Sequence, residues 1–187
     1  VAKVKRNDRR LGIIANRVFG HEDPAFEMLW AGVFAFGLQI YADFSAYSDI
    51  ARGTARWLGF ELVLNFNHPY ISHSPTDFWR RWHISLSSWF RDFVYIPLGG
   101  NRAGALQREA NLMATFLISG LWHGASWNYV LWGGYHGLLL VASRIRHRVL
   151  GDQRPAWMAA LAPLQIAGTF VLVCIGWLMF RETNLAM

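Results

Sequence analysis

Between Glu109 and Arg144 the chain runs for 34 residues without a formally charged side chain, and that run constrains what the protein can fold into more than any other feature. As one straight helix at ~1.5 Å per residue it would measure roughly 51 Å, against a hydrocarbon core of about 30 Å. A single crossing is therefore disfavoured. The charges at its ends agree, because Arg102 and Arg108 precede it while Arg144, Arg146 and Arg148 follow it, and basic clusters favour the cytoplasmic side. With both ends on that side, residues 110–143 enter and return as a helical hairpin, and the cheapest place to turn is Gly124-Ala125, with Ser126 as N-cap of the second helix. His123 then lies at the apex, deep in the bilayer. An ionisable group there is costly unless it faces protein or a wet cavity, and usually marks a functional site. The plainer alternative is an imidazole that only bonds a neighbouring helix.

Composition supports a membrane setting. Of 187 residues, 53% are apolar and 16% aromatic, with ten Trp, and only 16% are charged, which is far from the usage of soluble domains. A second uncharged stretch, residues 155–180, is also long enough to span. The fold class expected is all-α, a polytopic integral membrane protein with re-entrant or interfacial helices. Residues 1–10 hold no apolar core of the kind a signal peptide needs, so the chain reads as an internal portion of a longer protein. The net charge of +6 sits at the ends of apolar runs, where topology and anionic lipid headgroups account for it, so no nucleic-acid partner is expected. No GxxxxGK[ST], GxGxxG or HExxH motif and no Cys/His cluster occurs, so phosphate-loop, dinucleotide and metal sites have no support. The single Cys174 excludes an intrachain disulfide.

In chain order, residues 1–20 form a basic amphipathic helix for the interface, with Lys3, Lys5, Arg6, Arg9, Arg10 and Arg17 among Leu11, Ile13, Ile14 and Val18. Residues 26–50 make a transmembrane helix interrupted by Asp43 and Asp49. Both carboxylates are read as structural polar groups, with functional roles left open. Asp43 would turn to an inward face with Tyr41, Ser45, Tyr47 and Ser48, and Asp49 would share an ion-paired stripe with Arg52 and Arg56. The region 58–74, containing Asn65-Phe66-Asn67-His68-Pro69-Tyr70, is too polar for a span and reads as loop or re-entrant backbone. Ser74-Pro75-Thr76-Asp77 is a helix start. It opens residues 75–98, an interfacial or re-entrant element interleaving aromatics with Arg80, Arg81, His83, Arg91 and Asp92, in which His83 and Ser87 would share one helical face. Asp92, beside Trp89, Phe90 and Phe93, should need a basic partner. Leu98-Gly99-Gly100-Asn101-Arg102 is a turn, residues 144–154 are a basic cytoplasmic loop, and residues 156–180 are a final span.

These stretches resemble the membrane-bound O-acyltransferase family, in its alginate O-acetylation branch. The resemblance is carried by residues 39–51 (QIYADFSAYSDIA), 65–70 (NFNHPY), 78–91, 95–102 (YIPLGGNR) and 119–137, which together cover most of the chain from residue 39 to 137. It implies that residues 1–187 are the central and later part of one membrane-embedded acyltransferase domain in a multi-pass protein of the bacterial inner membrane. It further implies that His123, in Trp122-His123-Gly124, is the catalytic histidine, and that His83, in Trp79-Arg80-Arg81-Trp82-His83, is a second functional polar position. One departure is His68, where that branch more often has Arg.

The chemistry of the residues fits such an activity. O-acylation needs a hydroxyl made nucleophilic beside an acyl thioester, and a neutral imidazole is suited to that proton transfer near pH 7. His123 would be the base. His83 would orient it, bind the acceptor or stabilise the oxyanion, with Asn128 or Trp127 as further donors; the sequence does not rank these. Arg80, Arg81 and Arg91, flanked by Trp79 and Trp82, form the substrate-binding set that suits the phosphates of coenzyme A or an acylated carrier. Arg102 and Arg108 fit that role too, although ordinary topology explains them slightly better. No cofactor is expected to remain bound, acetyl-CoA or another acyl thioester being the donor substrate. The expected partners are a polysaccharide acceptor or a periplasmic acyltransferase, besides membrane lipids. D-alanyl transfer to teichoic acid is the alternative within the enzyme class, and a proton-coupled transporter using Asp43, His83 and His123 is the alternative outside it.

Overall fold

The structure is a computed structural model, and it describes residues 2–21, 24–102, 104–150 and 160–181, with the side chains of residues 2–9 and 150 left aside. The chain divides into two compact units, Val1–Asn65 and Phe66–Met187. Both are built of helices, with no β-strand among the described residues.

The first unit pairs helix α1 (Ala2–Phe19) with the longer α2 (Phe26–Trp57). Their contact is close because Gly32 of α2 leaves room for the branched Val18 of α1, whose methyl carbon lies 2.7 Å from where a Gly32 side chain would begin. Asp43 and Asp49 are both exposed in this unit. The expected stripe is only half present: Asp49 lies 3.7 Å from Arg52, whereas Arg56 takes Glu61 in a two-point pair of 2.9 and 3.1 Å. Arg56 is two helical turns from Asp49, and the chain leaving α2 brings Glu61 nearer.

The second unit begins with an extended stretch and a 3₁₀ turn, Pro69–Ile71. Helix α3 (Pro75–Arg81) starts where capping chemistry predicts. Ser74 is the N-cap, its hydroxyl accepting from the Asp77 amide at 3.2 Å, and the Asp77 carboxylate accepts from the His73 amide at 3.2 Å. After 7 residues, about two turns, the helix stops. Trp82 is extended and His83 takes the left-handed conformation at φ 42°, so residues 75–98 are not one continuous helical face as the sequence suggested. A second short helix, α4 (Ile84–Phe90), follows and widens into a π turn, Arg91–Tyr95, closed by the Ile96 amide on the Arg91 carbonyl at 2.9 Å. Asp92 has its basic partner in the adjacent Arg91, at 2.7 and 3.1 Å, but the pair is exposed and not buried among the aromatics.

Gly99 (φ 112°) and Gly100 (φ 52°) turn the chain into α5 (Ala105–His123). Helix α6 (Trp127–Leu150) doubles back on it after three residues. The two lie backbone to backbone: a side-chain carbon at Gly120 would fall on the Tyr129 carbonyl, and one at Gly133 on the Phe116 carbonyl. Helix α7 (Ala162–Arg181) packs on α6, where Tyr135 donates to the Leu172 carbonyl at 2.9 Å. Among the described residues α7 is the one helix long and apolar enough by itself to cross a membrane, with a mean hydropathy of 1.8. The polar groups that α5 and α6 carry at their basic ends lower theirs. The basic loop expected at 144–154 is helix over residues 144–150, where α6 continues past the uncharged run, and residues 151–154 lie outside the described residues.

Candidate active site

His123 is the last residue of α5, and Gly124 ends the helix there. Its imidazole is seated among rings. Trp132 stands edge-on with centroids 5.2 Å apart, Phe180 edge-on at 5.0 Å, and Tyr129 at 6.0 Å. The three come from α6 and α7, so the hairpin and the following helix hold the group jointly. Among the described residues the ring makes no side-chain hydrogen bond, and its orientation is set by aromatic packing.

His83 reaches the same place from the break between α3 and α4. A non-glycine residue in the left-handed region carries strain on the order of 1 kcal/mol, and such strain gathers at functional sites. Ser85 Oγ lies 3.5 Å from His83 Nδ1, and Phe66 faces the ring at 6.4 Å. Burial, and after it the nearby His123, push the His83 imidazole down to about 4, so it is neutral at physiological pH. Two imidazoles far apart in sequence are thus within electrostatic reach.

The arginines divide. A cavity of about 610 Å³ is lined by Arg80, Arg81, Arg108, Arg144 and Arg148 with His73 and His147, and by Ser74, Thr76 and Asp77. Asp77 offsets Arg81 at 2.8 Å. Glu109, 12% exposed, takes Arg148 at 2.8 Å, with Arg108 and Arg144 farther off at 3.6 and 3.8 Å. Five guanidinium groups against these two carboxylates leave a cationic basin suited to phosphate. A second cavity of about 270 Å³ shares Thr76, Arg80, Asn101 and Arg144 with it, and is otherwise mostly apolar, lined by Trp79, Phe90, Leu112, Phe116 and Leu140 among others. Ser119, one turn before His123, and Phe90, whose ring meets Trp122 at 6.2 Å, lie along this slot. Arg144 stands at the junction, donating to Tyr95 Oη at 3.2 Å, while Tyr95 donates to Asn101 Oδ1 at 2.9 Å.

The residues singled out from the sequence therefore fall into three groups. His83 and His123 lie within electrostatic reach of each other, and Arg80, Arg81 and Arg108 join the basin. Arg91 lines the slot while pairing with Asp92, and Trp79 lines it too. Trp82 is core, stacked on Phe78 at 5.5 Å and tilted against Trp177 at 4.9 Å. Asn128 is buried beside the hairpin turn, its Oδ1 accepting from Ser126 Oγ at 3.2 Å and its Nδ2 unpartnered. Trp127 is 54% exposed, and its ring is not among those seating His123. Arg102 is exposed and outside both cavities. Missed from the sequence were Arg144 and Arg148, read there as loop charges alone, and Trp132. His136 was missed as well, although it is a second histidine within the uncharged run and the reasoning that singled out His123 applies to it equally. No group of three His, Cys, Asp or Glu side chains that could hold a metal occurs among the described residues.

Comparison with known proteins bears directly on this arrangement. The chain is 47% identical over 175 residues to a probable alginate O-acetylase of Pseudomonas aeruginosa (strain PAO1), covering 94% of this chain and 32% of that protein. It is 39% identical over 161 residues to a peptidoglycan O-acetyltransferase of Helicobacter pylori, covering 86% and 30%. It is 31% identical over 163 residues to a teichoic acid D-alanyltransferase of Bacillus subtilis, covering 79% and 40%. The chain thus spans roughly a third of the length of the curated relatives it matches most strongly. The family model described as MBOAT, membrane-bound O-acyltransferase family, matches residues 18–187, which include the hairpin, the paired histidines and the basin, and the chain belongs to that family.

Proposed function

We propose that this chain forms the catalytic part of a bacterial inner-membrane enzyme that moves an acetyl group from a cytoplasmic thioester to a hydroxyl of an extracytoplasmic polysaccharide, or of a periplasmic transferase that passes it on. The observation that carries the reading is that His83 and His123 lie within electrostatic reach of each other, while an apolar slot sharing residues with a guanidinium-lined basin is lined by Ser87, one turn after His83, and Ser119, one turn before His123. The basin takes the phosphates of acetyl-CoA or of an acylated carrier, and the slot takes the pantetheine arm. The names of the relatives favour O-acetylation of a polysaccharide, since the two acetyl-transferring relatives above are 47% and 39% identical and the D-alanyl-transferring one 31%. In topology, the α5–α6 hairpin enters the membrane from the cytoplasm and returns, α2 and α7 cross it, and α1 and the α3–α4 element lie at or within the interface.

The reaction follows from neutral imidazole. His123 accepts the proton of the acceptor hydroxyl as its oxygen attacks the thioester carbonyl; the tetrahedral intermediate then expels the thiolate, which recovers that proton from the imidazolium. The ester forms, the thioester bond breaks, and His123 returns neutral. His83, neutral at working pH, hydrogen-bonds the acceptor or the oxyanion in this reading.

His123→Ala in the full-length protein tests the assignment. Transfer should fall ~10²- to 10⁴-fold, the range for loss of acid–base catalysis, with protein level and donor binding preserved. Retained transfer in a well-expressed variant refutes it.

A further inference from the structure

His136 of α6 is fully buried, at 0% exposure. Four aromatic residues surround it: Trp132 at 5.0 Å, Trp79 at 5.2 Å, Tyr135 at 5.4 Å and Trp177 at 6.4 Å. Gly176 of α7 makes room for it, since a side chain at that position would fall on His136 Nε2. Among the described residues neither ring nitrogen has a hydrogen-bond partner, and the indole N–H groups of Trp79, Trp132 and Trp177 are buried without one as well.

A ring needed only for volume would be apolar here, because a buried unsatisfied polar group costs about 1–3 kcal/mol. These five nitrogens belong to one group of touching rings, in which Trp79 and Trp132 meet His136 edge-on at 88° and 65°, so the imidazole and the indoles hold one another in place. Trp132 connects this group to the reaction centre: its indole meets His136 on one side and His123, edge-on at 5.2 Å, on the other. His123 has no hydrogen bond of its own to fix its ring among the described residues, so the setting of Trp132, together with Phe180 and Tyr129, decides where the imidazole points.

We propose that His136 is a positioning residue that, through its contacts with the indoles beside it, fixes Trp132 and through it the orientation of His123. The inference rests on the assignment of His123 as the base. Loss of the polar anchor lets Trp132 rotate or shift, and displacements near 1 Å cost up to ~10²-fold in rate.

The test is steady-state acetyl transfer by the full-length protein in membranes, comparing His136→Phe, which keeps a ring but no nitrogen, with His136→Gln, which keeps a donor and an acceptor. His136→Phe should lower kcat ~10- to 100-fold at unchanged KM for acetyl-CoA, and His136→Gln should recover a substantial part of that loss. A merely structural role would lower the amount of folded protein and leave kcat per folded molecule intact, and that result overturns the proposal. Should His136→Phe fail to fold, Trp132→Phe removes the indole N–H from the other side of the link; full kcat in that variant overturns it equally. His123→Ala run alongside separates the two readings: an active His123→Ala defeats the assignment of the base, whereas an inactive His123→Ala with fully active His136→Phe defeats only the role of His136.

Discussion

Gly133 and Gly134 are neighbours on α6, yet the structure assigns them opposite tolerances. A side-chain carbon at Gly133 would fall on the Phe116 carbonyl oxygen and lie 3.1 Å from its carbon, and the matching carbon at Gly120 would lie 2.9 Å from the Tyr129 carbonyl carbon. Carbon atoms prefer separations of about 3.5–4.0 Å, so the carbonyl carbon alone requires α5 and α6 to part by roughly 0.4–0.9 Å in Gly133→Ala, and the nearer carbonyl oxygen requires more. Neither obstacle is the far end of a flexible side chain. Both are helix backbone. Overpacking of this kind costs about 1–3 kcal/mol, and because Gly120 sits three residues before His123, the shift reaches the imidazole and should lower transfer by ~10-fold or more. At Gly134 the nearest atom is Leu117 Cδ2 at 3.7 Å, an ordinary contact, and Ala there should be neutral or gain up to about 1 kcal/mol in helix propensity. The assay is thermal unfolding of detergent-extracted full-length protein with transfer measured on the same preparations. Indistinguishable Gly133→Ala and Gly134→Ala variants would refute the backbone contact and the argument drawn from it.

Three further outcomes are expected. Arg144→Ala, at the junction of basin and slot, should raise KM for acetyl-CoA by ~10-fold with a smaller change in kcat, and an unchanged KM removes Arg144 from the donor site. His83 has a folded value of about 4, below its value of about 6.5 in an unfolded chain. The unfolded chain therefore binds more protons in that window, and stability should fall as pH drops from ~6.5 towards ~4, by at most about 3 kcal/mol; His83→Gln should flatten the profile, and an unaltered slope shows that other groups cause it. Cysteines placed at Ala105 and Arg146, at the two basic ends of the hairpin, should react with an impermeant thiol reagent from the same membrane face, the native Cys174 being buried. Labelling from opposite faces ends the two-pass reading.

The sequence by itself determined the features that are local in the chain. The uncharged run with basic ends and a glycine at its centre already implies two antiparallel helices, because apolar length, charge and chain reversal are all written in consecutive residues. Ser74 and Asp77 likewise specified the start of α3 through contacts three residues apart. His123 stood out for the same reason: one ionisable group at the turn of an apolar run needs no tertiary information to be noticed. Tertiary structure decided what depends on distant residues meeting. The left-handed His83 that breaks the 75–98 segment has no glycine or proline to announce it, since packing of Trp82 on Phe78 and Trp177 holds it there. Arg144 and Arg148 join Arg80 and Arg81 only because α6 lies against α3, and no spacing rule connects them. Trp132 and His136 acquire their place beside His123 from the Gly120–Gly133 approach and from Gly176, where the absence of a side chain admits a backbone or a ring from another helix. A glycine in a sequence does not say which neighbour it admits.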